Sequence, residues 1–592
     1  MGRLGAGMVT VLTSIRETIF RDWGRRAQET TVARHILRRY HLRRGKPAWK
    51  AVAEKGLLDQ RPGAGTKVLI GTSSGGYLAG MTLDSALAAA LRLRGAAVHV
   101  LLCDSDVPAC LECTVVTVGG ADHLLDHGPR LVLCPGCFET GRSAFEQIGV
   151  VVHRFGDYLT DDDRLEAAKV AASVPLDELG TYRPEGLPIG EHALAGALRF
   201  FARATLENEP RGADVNRKFL EAALLTAMVT ERLLAAEGFD RVVAHHGIYV
   251  PQGIIASVAR ATGVDVVTWN PAYRSQCFMF SHDDTYHHTL LSEPTSSWDD
   301  IAWTPALSEL TETYLASRSS GSNDWISFHE RPLSDIEMIA EEVGFSLDRP
   351  IIGMLTNVMW DAQLHYPANV FQDMREWCMA TIRHFAGRPD LQLLLRVHPA
   401  EIRGWMKSRQ PIAEEIASEF PQLPPNVFII PPESRVSTYT AMDACDAVLI
   451  YGTKTGVELA AAGIPVIVAG EAWIRNKGVS IDISSPSEYF SVLDALPIGA
   501  RLEPHMRERA MKYAFHFFFR RMIPLEFTEA AKSHSPYRLA LKSVSELLPG
   551  KSPGLDVICD GILSGTPFIF RAEDFIPDPQ SHERGRTAEE TV

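Results

Sequence analysis

Ile450-Tyr451-Gly452-Thr453-Lys454-Thr455-Gly456-Val457-Glu458-Leu459-Ala460-Ala461-Ala462-Gly463-Ile464-Pro465-Val466-Ile467-Val468 reads as strand, phosphate-sized loop, helix, turn and second strand. Ala447 to Tyr451 is a short apolar run of the kind that forms a buried parallel strand. Gly452 to Gly456 is small and hydroxyl-rich, so the backbone can approach a ligand closely. It opens a helix whose first N–H groups lack intrahelical partners, and such groups suit a diphosphate. Glu458 follows just inside the helix, where a carboxylate can accept from ribose hydroxyls. Gly463-Ile464-Pro465 ends the helix and starts the next strand. An ordinary strand–helix–strand turn with glycine for tight geometry would share much of this pattern, and the flanks decide for a ligand site.

Downstream, Arg475 and Lys477 place two cations beside the helix start, where they can neutralise a phosphate; a solvated basic loop is the plain alternative. Upstream, Leu391 to Val397 reads as a strand ending in Arg396-Val397-His398-Pro399. Pro399 cannot continue the strand, which leaves His398 at its end as a hydrogen-bonding group. Pro350 to Leu355 and Asn426 to Ile430 are further strands, and Ser437 is the expected cap of a helix. Residues 340–500 are therefore expected as one Rossmann-like α/β domain. Residues 501–545, with an aromatic-rich segment over 505–521, are expected as a helix packed across domains.

The first half repeats the rhythm. Lys67 to Ile70 is a strand, Gly71 to Gly80 a glycine- and serine-rich loop, Thr82 to Arg94 an amphipathic helix and Val98 to Leu102 a second strand. The loop does not match G-x-G-x-x-G, so no nicotinamide cofactor is inferred, and it can leave room for a substrate above the strand ends. Residues 61–330 are expected as a first Rossmann-like domain, with an insertion over 103–140. That insertion carries Cys110-x2-Cys113 and Cys134-x2-Cys137. Two such knuckles supply the four thiolates of a tetrahedral, structural zinc; an iron–sulfur cluster uses the same set, and four free thiols are the plain alternative. Cys103 is expected in the core. Thr160 to Glu237 is rich in Ala, Leu and Glu and is expected as helix. Arg241 to Ala244 then forms a strand before His245-His246-Gly247, so His246 stands at the edge where open α/β sheets bind ligands. His282, Asp283, Asp284, His287 and His288 cluster without a recognised ligand spacing. Ser317 to Asn323 reads as an exposed loop, and a linker follows near residues 330–349.

At 592 residues the chain is too long for one core. Its apolar content of 46% includes no uninterrupted run long enough for a transmembrane helix, and the first residues do not read as a secretory signal. A net charge of −14 argues against a general nucleic-acid binder. Nine cysteines in so long a chain are not a secreted disulfide framework, so a cytoplasmic location is expected. Residues 1–50 carry basic residues from Arg3 to Lys50 against only Glu17, Asp22 and Glu29, with Val9, Leu12, Ile15, Ile19, Phe20 and Trp23 at helical spacing. A basic helical extension over residues 1–60 follows, lying either on an anionic membrane surface or on the protein's own body. Residues 546–592 are expected as loop and disordered tail.

Arg396-Val397-His398-Pro399, the segment from Tyr451 to Glu458, Gly463-Ile464-Pro465-Val466, and the Lys477-Gly478 loop followed by Ser487-Glu488-Tyr489 together resemble a known family. It is the bacterial capsule polysaccharide biosynthesis family, whose better-understood members are Kdo transferases. The resemblance covers residues 340–525; the His-Pro and G-x-P-V elements also occur in UDP-GlcNAc 2-epimerases, which share the fold. It implies a GT-B architecture, two Rossmann-like domains facing a cleft with the nucleotide gripped by the second. The implied activity is transfer of a sugar from a nucleotide-sugar donor to a glycan or lipid-linked acceptor in surface polysaccharide synthesis. On that reading Thr453, Thr455 and Gly456 hold the phosphates, Glu458 the ribose, and Arg475 and Lys477 neutralise charge. His398 with Lys477 stabilises the leaving group, and His246 is the acceptor base, with Asp84 and Asp104 behind it. A sugar-nucleotide epimerase or hydrolase of the same fold, and a non-catalytic subunit of a glycan assembly complex, are the competing functions.

Overall fold

The computed structural model describes residues 31–53, 57–58, 65–318, 324–325, 332–362, 368–404, 406–531 and 535–576. Two parallel sheets of the same strand order organise them. In the first, β1 (Lys67–Ser73), β2 (Ala97–Leu102), β3 (Val151–Arg154), β4 (Arg241–His245) and β5 (Asp265–Pro271) lie in the order β3-β2-β1-β4-β5, all parallel. β6 (Cys277–His282) adds antiparallel beside β5. Both faces are covered, so successive residues of one strand enter different cores. Leu69 packs with the helices Ile189–Phe201 and Gly212–Glu237, whereas Val68 and Ile70 pack with Leu78–Leu93 on the other face.

The second sheet contains β7 (Ile351–Leu355), β8 (Gln392–Arg396), β9 (Val427–Ile430), β10 (Ala447–Ile450), β11 (Val466–Val468) and β12 (Ile481–Asp482). Their order is β9-β8-β7-β10-β11-β12, parallel throughout. β10 shows the same double burial: Ala447 and Leu449 enter one core, Val448 and Ile450 the other. Each sheet thus has the strand order of a Rossmann-like domain.

The helix Pro504–Phe515, continued by one π-helical turn to Arg520, touches segments associated with both sheets. Tyr513 OH donates to Trp473 O (2.5 Å) and the His516 ring lies 3.0 Å from Glu293 Oε2. The chain then adds β13 (Ile523–Pro524) antiparallel to β6 in the first sheet.

Two segments depart from the sequence reading. Residues 546–592 contain a helix, Pro553–Ser564, where loop and tail were expected. Ser552 caps it, Gly565 closes it at φ 73°, and Leu555, Ile558, Cys559 and Ile562 bury its apolar stripe in the first domain's core. Ser317 is helical too, because Pro305–Arg318 runs through it and Arg318 is buried. Val9 to Trp23 and residues 577–592 lie outside the described residues. The described part of the N-terminal extension, the helix Thr31–Gly45, lies on the first domain: Leu42 is buried, and Arg38 pairs with Glu112 and donates to Leu133 O (3.3 Å). No described helix is long and apolar enough to cross a membrane.

Candidate functional site in the interdomain cleft

β4 ends in a left-handed turn, with His246 at φ 63° and Gly247 at φ 72°. A non-glycine residue in that region is strained and needs its surroundings to hold it. The His246 N–H donates to Trp269 O (2.8 Å), and its ring stands 5.2 Å from Tyr249 and 6.0 Å from His287. His246 Nδ1 and His287 Nε2 are buried with no hydrogen-bond partner. Burial pushes His246 down to about 4, Asp361 pulling against this and Arg199 reinforcing it. Burial, with His246 and His288 nearby, drives His287 well below the usual imidazole range. Both rings are neutral acceptors at neutral pH. The next residue, His288, differs: its Nδ1 lies 3.1 Å from Asp284 Oδ2.

Across the cleft stand loops at the carboxyl ends of the second sheet. Tyr249 OH donates to Asp361 Oδ1 (2.8 Å) and accepts from Ala362 N–H (2.8 Å). The Trp473 ring meets Tyr286 at 5.6 Å, His287 at 5.7 Å and Tyr273 at 5.9 Å. Lys454 Nζ lies 4.8 Å from the centre of the Tyr273 ring. The carboxyl edges of the two sheets therefore face one another.

Glu458, 5% exposed, is the hub of the second edge. Lys454 Nζ lies 2.9 Å from its Oε1 at helical i,i+4 spacing, and Tyr439 OH donates to Oε2. Arg318 Nε stands 2.9 Å from Oε1 as an ion pair without hydrogen-bond alignment. Arg318 also pairs with Asp324 (2.5 Å). Burial alone would raise the Glu458 carboxyl, but Arg318 and Lys454 outweigh it and hold the group below the usual range. His398 joins this edge: its N–H donates to Thr356 Oγ1 (3.1 Å) and its Nδ1 accepts from Ala400 N–H (3.1 Å). Burial, then Lys454 and Arg396, push His398 down to about 4.

The remaining sequence candidates are distributed differently. Thr453 Oγ1 accepts from Thr455 N–H (3.3 Å) and donates to Thr455 Oγ1 (3.2 Å). Gly456 serves helix–strand packing, since a Cβ there would meet Ile450 Cδ1 at 2.5 Å. Arg475 is buried and donates to the carbonyls of Val468, Gly470 and Ile483, tying strand ends together. Lys477 is fully buried; its Nζ donates to Glu293 O (2.7 Å), and burial lowers it to about 8 while Glu293 acts in the opposite sense. The partners of both cations thus lie outside the Gly452–Gly456 loop. Asp84 is a core carboxyl, accepting from Thr72 Oγ1 and Trp269 Nε1 (2.8 Å each) and pushed by burial up to about 7. Asp104 pairs with Arg154 at 2.9 Å.

The cysteines are less closely gathered than their spacing in the chain suggests. Cys113 packs in the apolar core, its sulfur 4.0 Å from that of Cys110. Cys110, Cys134, Cys137 and also Cys103 line a shared cavity with Arg38 and Glu112. Among the described residues no three cysteine sulfurs lie within 4.8 Å of one another. A zinc ion bonded at about 2.3 Å to each sulfur holds them about 3.8 Å apart; Cys110 and Cys113 stand near that spacing, whereas the full set expected from Cys110, Cys113, Cys134 and Cys137 is not gathered to it.

The roles of Arg318, Tyr439, Tyr249 and Asp361 were not legible in the sequence, because their partners are remote in the chain. His287 was visible only as one of a histidine cluster. The strand-end position of His398 and the place of Glu458 just inside the helix were the local clues to the second edge.

No protein-family model matches the chain, and no curated protein matches it. Among solved structures it is similar to the KpsC beta Kdo 2,4 transferase of Thermosulfurimonas dismutans, at 14% identity and TM-score 0.31, over 47% of this chain and 80% of that one. The KpsC beta Kdo 2,7 transferase of the same organism gives 15% and 0.29, over 54% and 88%. The UDP-GlcNAc 2-epimerase from Neisseria meningitidis bound to UDP-GlcNAc gives 8% and 0.22, over 76% and 94%. The fold itself is established by the strand orders.

Proposed function

We propose that this chain transfers a sugar from a nucleotide-sugar donor to a hydroxyl acceptor in the cleft between its two Rossmann-like domains. The observation that carries the reading is the opposition, across one cleft, of an unpartnered neutral imidazole at His246 and a cationic loop at Lys454. The acceptor hydroxyl donates to His246 Nδ1. Its oxygen bonds to the anomeric carbon as the bond from that carbon to the donor diphosphate breaks, and the proton passes to the imidazole. Asp361 stabilises the imidazolium that forms. Lys454 and the hydroxyls of Thr453 and Thr455 meet the charge on the departing diphosphate, with His398 alongside. Glu458 keeps Lys454 and Arg318 in place and accepts ribose hydroxyls by exchange with Tyr439. A surface glycan or lipid-linked acceptor follows from the family resemblance.

The test is a thermal-shift panel of nucleotides and nucleotide sugars on wild type, Lys454→Ala and Glu458→Ala, followed by product analysis with and without an acceptor. A nucleotide at about a hundred times its Kd stabilises the native state by about 2.7 kcal/mol. One nucleotide is expected to raise Tm in wild type and in neither variant, with glycoside formed only when acceptor is present. Turnover without acceptor would favour an epimerase or hydrolase. Binding without turnover, unchanged by His246→Ala, would favour a non-catalytic subunit. No shift with any nucleotide overturns the reading.

A further inference from the structure

We infer that the cavity beneath the first glycine loop holds a polynuclear iron–sulfur cluster ligated by Cys103, Cys110, Cys134 and Cys137, with Cys113 a core residue behind it. Four cysteines line one cavity, and the four are not the two CxxC pairs: Cys103 lines it and Cys113 does not. All are free thiols. No three of the sulfurs lie within 4.8 Å of one another, a spread that a cluster spans by interposing its own sulfides and irons between the protein's thiolates. An all-thiolate set also selects soft metals.

The surroundings are built toward sulfur. Gly76 N–H donates to Cys137 Sγ (3.1 Å), with Ser74 Oγ at 3.7 Å from the same atom. The Ser105 side chain hydrogen-bonds Cys134, and the backbone at Val107 hydrogen-bonds Cys103. Donors of this kind orient cluster thiolates and stabilise their charge. Arg38 brings a cation to the same cavity from the helix Thr31–Gly45. The glycine loop explains itself here: a Cβ on Gly75 would meet Cys137 O at 2.5 Å, and one on Gly76 would meet Cys137 Sγ at 3.1 Å. These glycines let the loop press against the thiols, where the sequence suggested room for a substrate. The cavity also touches Pro251, just past the His246 turn, so a cluster would brace the N-terminal helix, the glycine loop and that turn together.

This inference stands apart from the transferase reading and needs no activity assay. The full chain is purified anaerobically, reconstituted with iron and sulfide, and assayed for iron, acid-labile sulfide, zinc, visible absorption and the electron paramagnetic resonance of the dithionite-reduced protein. Iron and sulfide are expected in near-equal amounts with broad charge-transfer absorption. Cys103→Ser is expected to lose them and Cys113→Ser to keep them, with folding checked by circular dichroism. One zinc per chain without iron, metal binding that needs Cys113 and not Cys103, or no iron retained after reconstitution overturns the proposal. The metal content of wild type decides even if Cys103→Ser does not fold.

Discussion

The two sheets share strand order and double burial, yet their facing edges solve opposite electrostatic problems. The first edge presents neutral imidazoles, with His246 Nδ1 and His287 Nε2 left without partners. The second presents a closed ionic network in which Glu458 is met by Arg318, Lys454 and Tyr439. The difference follows from desolvation. A neutral ring nitrogen can be buried alone at modest cost, whereas a buried carboxylate needs counter-charges and donors around it. The shared fold fixes where an edge lies and leaves its chemistry to the side chains.

The sharpest way to break the contrast is to remove one charge from the second edge and one ring from the first. Arg318→Met leaves Glu458 under-compensated and should cost about 3–5 kcal/mol by urea unfolding. His287→Phe removes an unpartnered nitrogen and should be close to neutral. Equal losses would refute the distinction.

Acidification separates the buried imidazoles of both edges from the Glu458 network. His246 on the first edge and His398 on the second are both driven by burial to about 4, below the unfolded value of about 6.5, so the unfolded chain binds more protons between those values. Their stabilisation is complete above about pH 6.5 and declines as pH falls toward 4, by about 2 kcal/mol per group at pH 5. Glu458, held below its usual range, keeps its contribution there and loses it only at lower pH. Tm measured against pH should slope between 6.5 and 4, and His246→Gln should flatten that slope; an unchanged slope in the variant would remove His246 as its source.

Tyr249→Phe tests the contact joining the edges. Loss of its hydroxyl should cost about 1–2 kcal/mol, and a double-mutant cycle with Asp361→Asn should show coupling; strict additivity would mean that the hydroxyl does not bind Asp361 in solution. A modest loss is expected at a local feature inside the second domain. Ser437 Oγ accepts from Thr440 N–H (3.3 Å), and Ser437→Ala should lower stability by about 1 kcal/mol without altering nucleotide binding.

Local patterns in the chain were enough for the skeleton. Apolar runs such as Pro350 to Leu355 and Leu391 to Val397 announced strands, and Ser437 announced a cap. The edge positions of His246 and His398 followed from strand ends. The charges were less legible, because the partners of Arg475, Lys477 and Arg318 are set by packing between distant segments. Arg318 was hidden further by the serine-rich run that follows it, and Pro553–Ser564 by polar flanks that resemble a fraying tail. Cys103 stands outside the CxxC spacing, so only the folded chain could place it beside Cys110, Cys134 and Cys137.

The helix Pro504–Arg520 has a consequence for biogenesis. Because the chain returns to lay β13 and the helix Pro553–Ser564 on the first domain, that domain begins near Lys67 and is completed only after the second has been synthesised. A chain ending near residue 500 would carry every strand of the second sheet and a first sheet with its β6 edge unpaired. The half made first is thus the half finished last, and shortening the carboxyl terminus should damage the domain at the other end of the gene.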